Sequence, residues 1–390
     1  MLQLLLAIIV IPPVILTTCF AVEVLAGLRR LRSCAAPSAP ASAIIIIPAH
    51  NEEISIAATV AALSAATVGV AELLVVADNC TDRTAELTLA AGARVIVRDD
   101  SALRGKGYAL AFARDELSTT PPDVVLIVDA DCRIDRAGVM ALISAVMIRS
   151  GPVQSVNLLC PDLDAAPFVQ VSNFAFMLRN LVRQRGLQRM AERVHLTGTG
   201  MAFPWSLFAK ADLGGASIVE DLNLGVTLAA QGHPAILVEE ATVWSAAASA
   251  KDTLQQRERW EGGFLTSALP VGIRGFWRSA AKLDGRSMVA AIDLCIPPLV
   301  VLGLLDIAAL IVLGLAAALG GSVYPFVAIL SASALAGCAV VLAWLREGRA
   351  FASLGAIASI PVYAVRKLPI YARLLIRGAP RDWVRTDRVQ

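Results

Sequence analysis

Apolar positions along the chain follow two patterns. Long unbroken runs lie near both ends, and between them short apolar segments alternate with polar ones. The first run goes from Leu2 to Leu28, and its polar interruptions are Gln3, Thr17, Thr18 and Glu23. A helix needs about 20 such residues to cross a bilayer. A cleaved signal peptide carries its positive charge before the apolar core, but here Arg29, Arg30 and Arg32 come after it. Residues 1–28 are therefore expected to be a retained N-terminal transmembrane helix, with the following chain in the cytoplasm by the positive-inside rule. Toward the other end, Met288 to Leu319, a Gly320-Gly321 turn and Val323 to Leu345 predict a transmembrane hairpin over 287–345, closed by Arg346-Glu-Gly-Arg349. Before it, residues 264–286 interleave Arg274, Arg278, Lys282 and Arg286 with Phe276 and Trp277, the pattern of a segment lying on a membrane surface. After it, 351–376 is apolar in its first half, then interrupted by Arg366, Lys367 and Arg373 and bent at Pro361 and Pro369. That stretch reads as a re-entrant or interfacial helix in preference to a third transmembrane helix, which leaves 377–390 as a cytoplasmic tail.

The central region, 43–263, has the polarity of a self-contained domain. Ile44–Ile47 reads as a buried strand and Glu53 to Ala66 as a helix. Leu73–Val76 is the next strand, followed by a helix near Arg83 that Thr81-Asp82 can cap. Val95–Val97, a helix from Gly105 to Leu117 and the strand Val124–Val128 continue the alternation. Continuous apolar strands separated by helices predict a mainly parallel sheet covered on both faces. Such sheets bind ligands beyond the carboxyl ends of their strands. Three strands end in polar clusters there: Ala49-His50-Asn51-Glu52, Asp78-Asn79-Cys80 and Asp129-Ala-Asp131.

Composition narrows the class. Of 390 residues, 57% are hydrophobic, and the mean hydropathy is +0.67, too apolar for an ordinary soluble domain. The formal net charge of +2 gives no reason to expect a nucleic-acid partner. Seven cysteines are scattered singly without C-x-x-C spacing, so neither a disulfide framework nor a zinc site is implied.

Candidate chemistry gathers at the strand ends. Asp129 and Asp131, two residues apart where a buried strand gives out, repel each other unless a cation lies beside them. Mg2+ or Mn2+ bound to diphosphate typically uses only one or two protein carboxylates. Arg104-Gly-Lys-Gly-Tyr108 opens a helix, where backbone N–H groups and Lys106 suit a phosphate. Glu220-Asp221 precedes an apolar-periodic stretch; Asp221 reads either as a helix cap or as a general base. Gln256, Arg259 and Trp260 share one helix face. Arg259 suits a leaving diphosphate, and Trp260 suits a sugar ring or the membrane interface. His50, His195 and His233 are isolated and form no metal triad.

Taken together, Asp78, Asp129-Ala-Asp131, Glu220-Asp221 and Gln256-x-x-Arg259-Trp260, in that order, resemble glycosyltransferase family 2 in its membrane-bound polysaccharide-synthase branch. The resemblance covers Ala43 to Gly263. It implies a GT-A fold, that is, an α/β domain with a Rossmann-like, mixed, mainly parallel sheet, cytoplasmic and flanked on both sides by transmembrane α-helices. By resemblance, Glu52 and Asp78 contact the uridine of a UDP-sugar, Lys106 and Asp129 hold the nucleotide, and Asp131 ligates Mg2+ or Mn2+. Asp221, beside Glu220, is the base. Arg259 assists departure of the nucleoside diphosphate and Trp260 helps bind the acceptor sugar, with Gln256 beside them in the catalytic set. Gly198-Thr-Gly-Met201 matches the acceptor-side loop, and Trp383 to Arg388 resembles a gating segment. The implied reaction is an inverting transfer that forms a β-glycosidic bond.

The expected partners are a UDP-sugar, a saccharide or lipid-linked acceptor and the bilayer of the inner (plasma) membrane, with no nucleic acid and no export partner specified. The expected product is an exopolysaccharide or cell-surface polysaccharide. The alternative is single transfer to a polyprenyl phosphate or ceramide-like lipid. Val219, where processive relatives often have Thr, and the small number of spans weigh against a translocating channel. A transporter with a regulatory domain does not account for carboxylates placed at strand ends, nor does a catalytically dead sensor account for a full set of base, metal and arginine candidates.

Overall fold

A computed structural model of the chain describes residues 2–33, 41–214, 220–246 and 261–377. The chain forms two compact units. One comprises Arg30–Cys160 and Arg193–Ala246, and the other Met1–Arg29, Pro161–Glu192 and Ala247–Val389. Elements are numbered in chain order, beginning with α1 (Leu2–Gly27).

The first unit is built on an eight-stranded mixed sheet of order β3-β2-β1-β4-β7-β6-β8-β5. Its strands are β1 (Ala43–Ala49), β2 (Glu72–Asp78), β3 (Arg94–Arg98), β4 (Val124–Ile127), β5 (Cys132–Arg133), β6 (Val153–Leu159), β7 (Met201–Pro204) and β8 (Ile236–Ser245). β1 lies between β2 and β4, parallel to both, and β3 extends the parallel half. β7 then runs antiparallel to β4 and β6, while β6 and β8 pair in parallel. Ile44 to Ile47 are all buried, as expected of a strand covered on both faces. The helices of this unit are α2 (Ile56–Thr67), α3 (Thr84–Ala90), α4 (Lys106–Leu117), α5 (Arg136–Arg149), the short α8 (Trp205–Phe208) and α9 (Glu220–Ala230). One face of the sheet packs Ile45, Ile47 and Leu126 with Val60 and Leu63 of α2 and Leu142 and Val146 of α5.

The expected helix start at Glu53 falls later, at Ile56. The reason is competition for donors. The Glu52 N–H donates to Thr84 Oγ1 (2.7 Å) and the Glu53 N–H to Asp82 Oδ2 (3.0 Å), which ties this loop to the start of α3. Asp82 also accepts from the Thr84 N–H at 3.0 Å, so the Asp82 carboxylate holds the first turn of α3.

The second unit is helical. Besides α1 it contains α6 (Pro167–Met177), which runs through a π-helical turn (Leu178–Arg183) into α7 (Gln184–Ala191). Later come α10 (Leu269–Ala281), α11 (Gly285–Cys295), α12 (Leu299–Ala318), α13 (Tyr324–Arg346), α14 (Leu354–Ala358) and α15 (Ile360–Arg377). Three stretches, Val10–Gly27, Leu299–Ala318 and Tyr324–Arg346, are long and apolar enough to cross a membrane. Pro161–Glu192 therefore groups with the apolar helices even though it lies inside the polar 43–263 stretch. Two glycines let it approach α1 backbone to backbone: Gly27 lies against the Val182 carbonyl and Gly186 against that of Glu23. The carboxyl end of α1 is closed by arginines. Arg189 donates to Ala26 O and Arg29 O, each at 2.7 Å, and Arg346 donates to Leu28 O at 3.1 Å. The carboxylates within the apolar runs are also partnered. Asp306 accepts from Thr17 (2.9 Å) and Ser333 (3.0 Å), and Arg183 bonds both Glu23 (3.0 Å) and Asp293.

Candidate active site

The carboxyl ends of β1 and β2 are shaped by two asparagines in left-handed conformation, Asn51 (φ 56°) and Asn79 (φ 51°). Asparagine tolerates that region better than most residues, because its short side chain bonds locally. Asn51 Oδ1 accepts from the Thr81 N–H (2.7 Å), and Asn79 Oδ1 accepts from the Asp100 N–H (2.9 Å). His50 Nδ1 donates to the Asp78 carbonyl at 2.7 Å. The first two polar clusters therefore form one rim.

Asp78 lies on that rim with its side chain 8% exposed, in an ion pair at 2.6 Å with Arg98, itself 9% exposed. Asn79 Nδ2 donates to the same oxygen, Oδ1, at 3.0 Å. Arg98 further bonds Asp100 (3.2 Å) and stacks on Tyr108, its guanidinium carbon 5.6 Å from the ring centre. Arg98 is a participant that the sequence reading did not single out. It ends β3 in register with Asp78, so applying the strand-end rule to the third strand finds it. Glu52 accepts from Ser55 Oγ (2.8 Å) at the start of α2.

Lys106, Asp129, Glu220 and Asp221 come together elsewhere in the same unit. Lys106 is the first residue of α4, after Gly105 at φ 127°. Its Nζ donates to the Asp129 carboxylate and, at 2.7 Å, to the Gly198 carbonyl. The turn 198–200 is fastened to the end of β4: Thr199 Oγ1 accepts from the Asp129 N–H (3.1 Å) and the Gly200 N–H donates to Ile127 O (2.8 Å). Buried Gln154 pins the turn from below, accepting from the Thr197 N–H (3.0 Å) and donating to Thr199 O (2.8 Å). A methyl group at Gly198 (φ +86°) would lie 3.2 Å from Asp221 Oδ2 and 3.8 Å from Lys106 Nζ, so lysine and aspartate flank this glycine. Glu220 and Asp221 open α9, and Asp221 Oδ1 accepts from the Leu222 N–H at 2.8 Å. Lys106, Asp212, Glu220 and Asp221 line a narrow cleft with Met201 and Leu224. Asp212, on the chain leading toward α9, is a second participant with no signal in the sequence.

This cluster shifts the titration of its members. Burial opposes the charge on Lys106, but Asp129 most strongly, then Glu220 and Asp221, outweigh it and raise its pKa. Burial, reinforced by the Asp221 charge and partly offset by Lys106, pushes Glu220 up to about 7. A carboxyl poised there suits proton handling near neutrality. Asp131 lies on the turn between β4 and β5, where the Cys132 thiol donates to its Oδ1 at 3.2 Å. Gln256, Arg259 and Trp260, and the Trp383 to Arg388 segment, lie outside the described residues.

Comparison with known proteins places these features. No curated protein matches the chain. Among solved structures, a mannosyltransferase from Pyrobaculum calidifontis in complex with GDP-Man and Mn2+ has a TM-score of 0.56 and 17% identity, covering 96% of this chain and 98% of that one. A glucosyl-3-phosphoglycerate synthase from Mycobacterium tuberculosis in complex with Mn2+, UDP and phosphoglyceric acid has a TM-score of 0.38 and 18% identity, covering 60% of this chain and 84% of that one. Residues 40–263, more than half of the chain, match the family described as glycosyltransferase like family 2. With a GT-A sheet whose strand ends gather Lys106, Asp129, Glu220 and Asp221, the chain belongs to glycosyltransferase family 2 and is a glycosyltransferase.

Proposed function

We propose that the protein moves a sugar from a UDP-sugar to an acceptor hydroxyl with inversion, forming a β-glycosidic bond with the aid of Mg2+ or Mn2+. The observation that carries this reading is the cluster of Lys106, Asp129, Glu220 and Asp221 around the 198–200 turn. In this reading Asp221 takes the proton of the attacking hydroxyl. Glu220 beside it, with its pKa near 7, shares the proton load, so the pair need not carry two full charges. Lys106 places a positive charge where the leaving diphosphate gathers negative charge, already oriented by Asp129 and the Gly198 carbonyl. In this reading Asp131 and diphosphate oxygens would hold the cation, since Mg2+ uses few protein ligands at such sites. The cation, when bound, supplies Lewis-acid stabilisation of the leaving group.

Asp78 and Glu52 are assigned to the nucleoside. Arg98 and Asn79 both reach Oδ1 of Asp78, which leaves Oδ2 to accept from an N–H on the edge of the base. Uracil and guanine each present such a group, and the mannosyltransferase of similar fold holds GDP-Man, so the donor panel must include both. Arg259 is assigned to departure of the diphosphate and Trp260 to the acceptor sugar, with Gln256 on the same helix face. The protein is assigned to the plasma membrane, with the catalytic unit on the cytoplasmic side, and its product to cell-surface polysaccharide. A second reading, transfer of one sugar to a membrane lipid, draws support from the three apolar helices, which bring a lipid acceptor to the same molecule. Detergent-solubilised protein, incubated with Mn2+ or Mg2+, membrane lipid and labelled UDP-sugars or GDP-mannose, tests both. A polymer ladder supports the first reading and a single labelled lipid the second. Absence of transfer from every donor refutes both.

A further inference from the structure

Glu261 follows directly on Trp260 in the chain and is only 6% exposed. Its Oε1 accepts from Lys367 Nζ on α15, a side chain 3% exposed and 106 residues further along. Lys367 is held in turn by aromatic rings one helical turn to either side. Its ammonium lies 5.2 Å from the Tyr363 ring centre and 5.8 Å from that of Tyr371. Residues four apart share a helix face, and a cation over a ring face is attracted to it, so Lys367 has a defined position of its own. Glu261 Oε2 is buried as well and has no hydrogen-bond partner among the described residues. The bond through Oε1 to Lys367 is therefore what holds this carboxylate.

The chain beyond Glu261 is weakly determined by its own sequence. Gly262 and Gly263 come next, both buried, and glycine is the poorest helix former after proline. A π-helical turn, Phe264–Ala268, then leads into α10. Such turns are rare and recur at functional sites. Thr266 Oγ1 donates back to the Gly262 carbonyl at 3.0 Å, a local bond that competes with the regular helix ladder. Two glycines and a π turn leave the course of the chain here to tertiary contacts, and the Glu261–Lys367 pair is such a contact, one residue from Trp260.

Stability alone does not account for the pair. Well-packed apolar residues of similar volume commonly replace a buried ion pair without loss. What they lack is the single geometry of a charge-assisted hydrogen bond. We propose, on the reading that gives Arg259 to departure of the diphosphate and Trp260 to the acceptor sugar, that Glu261 and Lys367 are positioning residues for the transfer reaction. The pair fixes the backbone immediately after Trp260 and acts on catalysis through the placement of Arg259 and Trp260.

The test removes the pair without leaving a lone buried charge. In Glu261→Met/Lys367→Met both side chains become apolar at nearly constant length, and methionine packs well beside aromatic rings. Wild type, this double variant and Arg259→Ala are purified in detergent as full chains. Each is measured for its unfolding midpoint, for Mn2+-dependent affinity for the nucleoside diphosphate of the donor that the wild type uses, and for kcat and donor KM. The double variant should keep its midpoint within about 3 °C of the wild type. Its nucleotide affinity and donor KM should stay within about threefold while kcat falls about tenfold or more, the signature of misplaced groups in a folded enzyme. A kcat within about twofold of the wild type overturns the proposal, as does a loss of nucleotide affinity as large as the loss of kcat. If the midpoint falls further, Glu261→Gln/Lys367→Met is read in its place, and a fall in that variant too assigns the pair to stability and overturns the proposal. A wild type that transfers from no donor refutes the proposed function, and an undiminished kcat in Arg259→Ala refutes the role of that residue. The proposal falls with either, and both are told apart from a double variant that works as well as the wild type.

Discussion

Replacing Glu220 by glutamine is expected to make the protein more stable above neutral pH and to leave its stability unchanged in acid. Glu220 titrates near 7 in the folded protein against an ordinary 4.5, because burial and the Asp221 charge penalise its carboxylate more than Lys106 favours it. A raised carboxyl pKa means the folded state holds its proton longer than the unfolded chain does. Below 4.5 both states are protonated and folding carries no cost from this group. Between 4.5 and 7 the unfolded chain ionises first and stability falls; above 7 the full cost remains. At about 1.4 kcal/mol for each pH unit, and after a discount for partial solvent screening, that cost is about 2–3 kcal/mol. Glutamine keeps the shape and never ionises. Thermal unfolding of wild type and Glu220→Gln in detergent, without nucleotide or metal, at intervals from pH 4.5 to 8.5, reads the effect. The variant's midpoint should match the wild type at the acid end and rise above it by several degrees at the alkaline end. A difference that stays constant with pH refutes the linkage, and a variant that loses stability as pH rises reverses its sign.

Other substitutions separate the roles within the site. Asp221→Asn should lower transfer by about 10²-fold or more while leaving metal-dependent nucleotide binding intact, whereas Asp131→Asn should raise the Mn2+ concentration needed for half-maximal activity; titration calorimetry and metal titration of the rate distinguish them. Asp78→Asn removes the buried one of the two carboxylates paired with Arg98 and leaves it the more exposed Asp100, so it should cost about 1–3 kcal/mol of stability besides weakening the donor, read as a lower unfolding midpoint together with a higher donor KM. Gly198→Ala places a side chain at φ +86°, 3.2 Å from the Asp221 carboxylate. The backbone strain alone is about 1–2 kcal/mol, and the contact should depress kcat more than it raises the donor KM.

Sequence pattern and structure agree where the physics is local. Ile44–Ile47 and Val124–Val128 announce themselves as strands because they are short, rich in β-branched residues and bounded by polar clusters, as a doubly covered sheet requires, and the Asp129 and Asp78 ends follow from parallel topology. Lys106 was visible as the start of a helix. Its bond to Gly198 was not, because that carbonyl is brought to it by the antiparallel turn into β7, 92 residues further along. Arg98 was hidden by its place on a short, half-exposed strand, although the register with Asp78 gives it a defined partner. The π-helical turn that delivers Arg183 to Glu23 and Asp293 has no sequence signature, since it depends on packing against α1. Lys367 reads from sequence only as a charge interrupting an apolar stretch, and its pairing with buried Glu261, 106 residues earlier, has no signal there.

The central claim is a single displacement at the anomeric carbon with Asp221 as base, and the anomeric configuration of the first product tests it most directly. With the α-linked donor that supports turnover, the one-bond C1–H1 coupling of the product isolated at low conversion should take the smaller value of a β-linkage, a reading that holds for gluco- and manno-configured sugars alike. An α-linked product, or a β-linked product formed at an undiminished rate by Asp221→Asn, contradicts the account.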